Sequence, residues 1–226
     1  RSMRSGQSAM AMALSRVPAT LVLSAGTVVF IIIVGIPVGV YSALHRRSIL
    51  SIVSMASTLT AQAMPSFWLG LVLILVFAVQ LRWVPSFGYG SWNQLILPAV
   101  TLGSFFAAKI ARLVRSGILE VIGQDYIRTA RAKGLHPRVV LWKHVFRNSL
   151  LSVVTVMFLD LSQLVGGAVV TETVFAWPGV GRLLTISVLS RDYPVVQASV
   201  FIIAGLVVVI NLLADLLYRV IDPRIT

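Results

Sequence analysis

Long apolar runs, separated by short clusters of arginine and lysine, dominate the pattern of this chain. A run of about 18 or more residues almost free of charge is long enough to cross the ~30 Å hydrocarbon core as a helix. In lipid the helix is also the single-segment conformation that satisfies every backbone hydrogen bond internally. Five stretches fit this description, residues 18–44, 50–81, 95–114, 150–171 and 195–218. In the first, Pro18 falls near the helix start, where its missing N–H costs nothing, and Gly35, Pro37 and Gly39 loosen the far half. In the second, Pro65 within Met64-Pro65-Ser66 predicts a kink, or a division into an interfacial and a spanning piece. The pattern predicts an all-α polytopic membrane protein, a bundle of five spanning helices.

Composition supports this reading and removes others. Hydrophobic residues make up 58% and charged residues 12%, with a mean hydropathy of +0.93, far outside the range of soluble domains. A net charge of +12 in a soluble protein would point to nucleic acid, but here the basic residues lie between apolar runs that no nucleic-acid module contains. They read instead as topology signals, with a lipid bilayer and not a nucleic acid as the surrounding partner. Thirteen of the 19 lysines and arginines fall on the side of the 118–147 loop and the C-terminus, which places both in the cytoplasm. Five crossings then put the N-terminus outside. Residues 1–16 are polar, start with Arg1 and lack a signal-peptide core, so a sixth helix is expected upstream. The chain has no cysteine, and His45, His136 and His144 are too scattered for a metal cluster.

The 118–147 loop has a periodicity of its own. Asp125 is placed to cap a helix over residues 126–133, and Gly134 to end it in a left-handed conformation. A second helix starts near Pro137. Along it Leu135, Val139, Trp142 and Phe146 form one apolar stripe, predicted to lie against the subunit's own helices, while Arg138, Lys143, His144 and Arg147 cover another face. The residues alone are also compatible with an interfacial hairpin whose cations meet anionic lipid.

The wording of this loop is more specific than its periodicity. The segment Gly123-Gln124-Asp125-Tyr126-Ile127-Arg128-Thr129-Ala130-Arg131-Ala132-Lys133-Gly134-Leu135, followed by Lys143-His144-Val145-Phe146-Arg147-Asn148-Ser149-Leu150, resembles the cytoplasmic motif of binding-protein-dependent ABC importer permeases. It is most similar to the branch that imports dipeptides, oligopeptides and nickel. Pro65-Ser66-Phe67-Trp68-Leu69-Gly70, Glu172-Thr173-Val174-Phe175-Ala176-Trp177-Pro178-Gly179-Val180-Gly181-Arg182, Arg191-Asp192-Tyr193-Pro194 and Asp222-Pro223-Arg224 also resemble that branch. Two positions depart: Arg128-Thr129-Ala130 stands where the broad family has Glu-Ala-Ala, and Ser152 where it often has proline.

The resemblance implies a type I ABC importer transmembrane domain over residues 1–226, N-terminally incomplete, with 118–147 as its coupling loop. Asp125, Arg128, Ala130, Lys133, Gly134, Leu135, His136, Arg138, Trp142 and His144 are then expected to engage an ATP-hydrolysing subunit. The implied partners are a second homologous permease subunit, two ATP-binding cassette subunits and an extracytoplasmic solute-binding protein. ATP and magnesium would be bound in those ATPase subunits, with no cofactor on this chain. The implied function is a permease subunit forming the path for peptides across the bacterial cytoplasmic membrane. Nickel-chelate or glutathione import in the same branch, or a secondary transporter, are the alternatives.

Other positions carry expectations of their own. Ionisable residues at membrane depth are costly. Lys109 and Asp160 are both departures from neutral residues usual in the family, which points to a compensating pair or to a role in the substrate path, with Lys109 also shallow enough to snorkel to the cytoplasmic interface. Glu172 is expected to form a salt bridge in the outer loop or to act as a gate. Trp177, Pro178, Gly179 and Gly181, with the run 183–189, read as an outer-face segment anchored at the interface or receiving the binding protein. Asn211, Asp215 and Tyr218 read as a polar face toward a partner helix, and Gly166 and Gly167 as a close helix contact. The sequence has no Gly-x-x-x-x-Gly-Lys-Ser/Thr phosphate loop, no Gly-x-Ser-x-Gly elbow and no His-Glu-x-x-His, so neither ATP hydrolysis nor a membrane hydrolase is encoded here.

Overall fold

The computed structural model describes the backbone of residues 1–221 and the side chains of those residues except Leu151, Ser152 and 217–221. The Asp222-Pro223-Arg224 match and the side chains of Ser152, Tyr218 and Arg219 therefore lie outside the described residues. Among the described residues the fold is entirely helical. Helix α1 (Ala9–Leu14) leads into α2 (Val17–Phe30), a π-helical stretch over Ile31–Gly35, and α3 (Ile36–Leu44). Pro37 has no N–H to donate back into the preceding turn, and the widened turn before it accommodates that loss. Helix α4 (Ile49–Ala63) and α5 (Ser66–Leu73), with its π extension Ile74–Gln80, follow. The long helices α6 (Trp92–Ile122), α9 (Arg147–Val174) and α11 (Tyr193–Ile221) frame the rest, with α7 (Asp125–Ala132), α8 (Pro137–Val139) and α10 (Val180–Leu189) between them.

Four helical segments, Ala9–Leu44, Trp92–Ile122, Val153–Val174 and Tyr193–Leu216, are long and apolar enough to cross a membrane. The fifth predicted span is the bent pair α4–α5, turned through 114° at Met64-Pro65. Both residues of the break have extended backbones, as expected for a proline and the residue before it.

Helix α6 is the centre of the bundle. Its buried side includes Leu102, Phe106, Ile110, Val114 and Ile118, and it packs on α2, α3, α4, α5 and α9. Between membrane helices the attraction comes from close packing rather than from expulsion of water, so small residues set the approach distance. At Gly39 a Cβ would stand 2.5 Å from the Ala111 carbonyl oxygen and 2.7 Å from Val114 Cβ, so α3 reaches α6 because this residue has none. Some buried hydroxyls bond back to their own helix, as Thr27 does to the Leu23 carbonyl and Thr101 to the Leu97 carbonyl, each at 2.8 Å. Large apolar side chains on α2, α4, α5 and α11 remain exposed, including Val29, Ile52, Leu71, Phe201 and Val208. They form the kind of apolar surface a bilayer covers.

Candidate functional site

The loop between α6 and α9 is shorter than its sequence predicts. Helix α6 runs on to Ile122, and Ile118 is fully buried within it. Helix α7 occupies Asp125–Ala132 with Gln124 as its N-cap residue, so Asp125 is the first helical residue and not the cap. The reason is the extended backbone of Gln124, which starts the helix one residue early. Asp125 instead places its charge in the first turn, where it complements the helix dipole, and lies 3.5 Å from Arg128 Nη1. Both side chains are largely exposed, and such a pair adds little stability.

Two buried residues, Ile127 and Ala130, hold α7 against the bundle, while Arg128, Arg131 and Lys133 project from it. The Asn148 amide donates to the Tyr126 hydroxyl at 2.9 Å, tying α7 to the start of α9. At the far end Gly134 adopts φ +76°. Its N–H donates to the Arg131 carbonyl at 3.0 Å, and that of Leu135 to the Ala130 carbonyl at 3.4 Å, the pattern in which glycine stops a helix. His136 then caps the next helix, its Nδ1 accepting from the Arg138 N–H at 3.3 Å, and Pro137 fills the first helical position. Sequence reasoning placed His136 at this corner but missed the cap.

The predicted apolar stripe faces the other way. Leu135, Val139 and Trp142 are exposed, and of the four only Phe146 is half-buried, its ring 4.9 Å from that of Trp142. Val140 and Val145 are buried in their place. The cause is a π-helical stretch over Val140–Phe146, where i→i+5 bonding brings residues five apart onto one face and defeats a 3.6-residue count. Arg138 and Lys143 are exposed beside the displaced stripe, and His144 is half-buried. Beneath the corner lies a groove of ≈ 500 Å³ lined by Leu44, Ile122, Leu135, Val140 and Val145, with Arg131 at its edge.

Further into the bundle, Lys109 Nζ on α6 donates to Asp160 Oδ1 on α9 at 2.7 Å. Asp160 is buried, whereas Lys109 is partly exposed, and Asp160 Oδ2 has no partner among the described residues.

At the opposite end a second network joins α2, α9 and α10. Glu172 is fully buried, with no cation partner among the described residues, so the predicted salt bridge is replaced by neutral donors. The Thr20 hydroxyl donates to Glu172 Oε1 at 2.6 Å and accepts from the Val180 N–H at 3.0 Å. The Arg182 N–H donates to Glu172 Oε2 at 3.0 Å. Glu172 thus lends α10 the N-terminal acceptor that its own sequence lacks, with Gly179 at the N-cap. A Cβ on Gly179 would collide with the Glu172 carboxylate, and one on Gly181 would stand 2.6 Å from Val169 Cα.

Trp177 is buried at 1% exposure rather than anchored at an interface. Its Nε1 donates to the Ala19 carbonyl at 2.8 Å, and Tyr89 packs edge-on against its ring at 4.9 Å. Pro178 follows it at the corner, half-buried. Asn211 and Asp215 on α11 are exposed or nearly so along a helix that is otherwise apolar, and Gly166 and Gly167 on α9 are exposed. Asp192, between α10 and α11, accepts from the Ser2 hydroxyl and from the Met3 N–H at 3.1 Å. The Ser2 bond, together with backbone N–H groups, holds its carboxyl below the usual range.

A broken span, a central helix packed through small residues and a helical elbow at one end define an all-helical membrane subunit. The same fold occurs in the inward-facing MetNI methionine ABC transporter, with a TM-score of 0.77 at 24% identity over 93% of this chain and 96% of that one. An amino acid ABC transporter solved with histidines matches at a TM-score of 0.67 and 17% identity, over 92% of this chain and 93% of that one. Residues 35–226 match the family of binding-protein-dependent transport system inner membrane components, and the chain belongs to that family.

Among curated relatives, the glutathione transport system permease protein GsiC of Escherichia coli is 43% identical over 93% of this chain and 69% of its own length. The di/tripeptide transport system permease protein DppB of Pseudomonas aeruginosa is 42% identical over 92% of this chain and 70% of its own. The dipeptide transport system permease protein DppB of Escherichia coli is 42% identical, over 93% and 71%. The chain is therefore a multi-pass permease component of the bacterial cytoplasmic membrane and not an enzyme.

Proposed function

We propose that this chain forms half of a path for small peptides and that the α7–α8 elbow transmits to it the motion of an ATPase subunit. The observation that carries the reading is the construction of the elbow. Ile127 and Ala130 fix α7 to the bundle from below, and the Tyr126–Asn148 bond braces it from the side. Arg128, Arg131, Lys133, Leu135, Val139 and Trp142 are left on the outside. A rigid element with a cationic and apolar outer surface acts as a lever, since force on α7 passes through the π-helical stretch straight into α9. A second permease subunit covers the exposed faces, two ATPase subunits hold ATP and magnesium, and a binding protein delivers solute at the end where Trp177 and Glu172 lie. The positive-inside count places the elbow in the cytoplasm, as this requires.

The dipeptide and tripeptide relatives support a peptide substrate. The glutathione relative supports a second reading, itself a modified tripeptide. Because the chain has no cysteine, a single substitution, either Lys133→Cys on the elbow or Leu212→Cys on α11, provides a clean probe. In the assembled transporter, a short cross-linker with one thiol-reactive and one amine-reactive end is expected to join the Lys133→Cys variant to an ATPase subunit and the Leu212→Cys variant to none. Cross-linking of the Leu212→Cys variant alone would refute the elbow as the docking surface.

A further inference from the structure

The Lys109–Asp160 pair has a direction. The Asp160 side chain is 5% exposed and that of Lys109 38%, so the anion is sealed inside the bundle and the cation is presented outward. An ammonium carries three N–H donors. One is spent on Asp160 Oδ1, and the other two have no acceptor among the described residues. By helical rise Asp160 lies about 20 Å along α9 from Arg147, so the pair holds the ammonium at depth instead of letting it curl back to the interface. Arg112 shares this face of α6 one turn nearer the elbow, partly exposed and without a carboxylate partner among the described residues. The face is therefore net positive. Presented to hydrocarbon, it would be among the costliest arrangements a spanning helix can make.

We propose that Lys109 lines a water-filled path and takes the carboxylate of the passing substrate. Asp160 is its positioning residue: it fixes the direction of the ammonium while leaving the outward donors free. This rests on the permease reading above, and peptides and glutathione both supply the carboxylate.

The absence of cysteine allows a chemical test. Lys109→Cys, assembled with its partner subunits in proteoliposomes, is treated with aminoethyl, sulfonatoethyl or methyl methanethiosulfonate. Each forms a mixed disulfide and releases methanesulfinate. The expected result is reaction with the membrane-impermeant sulfonatoethyl reagent, and uptake of radiolabelled trialanine about tenfold or more below wild type. Recovery is expected only with the aminoethyl group, which rebuilds an ammonium. Lys109→Arg should retain uptake. Asp160→Asn should lower the maximal rate without changing the half-saturating concentration of loaded binding protein, and Asp160→Glu should restore it.

Reaction with the lipid-soluble methyl reagent alone, or equal uptake after all three reagents, overturns the proposal. Should Lys109→Cys fail to assemble, Lys109→Cys/Asp160→Asn, which removes the buried anion as well, carries the labelling arm. A wild-type complex that imports neither trialanine nor glutathione defeats the peptide reading instead, and the labelling pattern still decides whether Lys109 faces water.

Discussion

Substitution at Gly134 isolates a backbone effect. The residue sits at φ +76°, and nothing lies within 4 Å of the position a Cβ would take, so a new side chain meets no steric obstacle. Any cost is that of the left-handed conformation itself, about 1–2 kcal/mol for an L-residue, and highest for a β-branched one. Asparagine enters this region readily and should cost less. One to two kcal/mol changes the local equilibrium by roughly five- to thirtyfold in favour of an elbow that has lost its helix stop.

The bonds at risk are those from Gly134 to Arg131 and from Leu135 to Ala130, which set the direction of the chain into Pro137. In proteoliposomes holding the assembled transporter, the ATP hydrolysed per peptide imported is expected to rise in the order Gly134, Gly134→Asn, Gly134→Ala, Gly134→Val, with insertion unaffected. Equal coupling in Gly134→Val and wild type would refute the reasoning. Asparagine as damaging as valine would show that side-chain bulk, not φ, is decisive.

Four further outcomes can be checked. Ala176 and Arg191 end α9 and α10 with positive φ, 52° and 56°, so replacing either with glycine should stabilise the subunit by about 1 kcal/mol, read as a raised Tm in detergent. Glu172→Ala strands the Thr20 hydroxyl and the Arg182 N–H in a buried site and should cost about 2–4 kcal/mol, read by chemical denaturation; a change below about 0.5 kcal/mol would refute the network. Lys109→Met strands the buried Asp160 carboxylate and should lower Tm, and Lys109→Met/Asp160→Asn should be more stable than Lys109→Met alone, since an uncompensated buried charge is what costs. Asp192 has a carboxyl held below its ordinary value of 3.8, so the docking of residues 2–5 is fully supported above that pH and is lost as pH falls through the lowered value. The protection factor of the Met3 amide, its exchange rate relative to an unstructured peptide at the same pH, should therefore fall below pH 3.8 and be unchanged between about pH 5 and 8.

Much of what depended on local chemistry was legible in the sequence. Apolar runs marked the spans because lipid leaves few backbone solutions, Pro65 marked the break, and Gly134 marked the helix stop. The pairing of Lys109 with Asp160 was accessible because a lone carboxylate at membrane depth should find a cation and because both residues stand where the family resemblance implies neutral ones. Features set by distant partners were hidden. Trp177 looked like an interfacial anchor, but its hydrogen bond is to Ala19, and Glu172 looked for a cation but found Thr20. The stripe Leu135, Val139, Trp142 and Phe146 failed for a different reason: a helical count of 3.6 does not hold across a π-helical stretch, and nothing in those residue types announces one. Its exposure moves three apolar side chains from the core to the outer surface of the elbow.

Import itself is the most direct measurement. Proteoliposomes carrying this chain with its permease and ATPase partners are loaded with ATP and given peptide-charged binding protein outside. The expected result is uptake of labelled peptide that requires both the binding protein and luminal ATP, and that stops when α7 carries Arg128→Glu and Lys133→Glu together. Uptake independent of ATP, or unaffected by that charge reversal, would contradict a lever driven through the elbow.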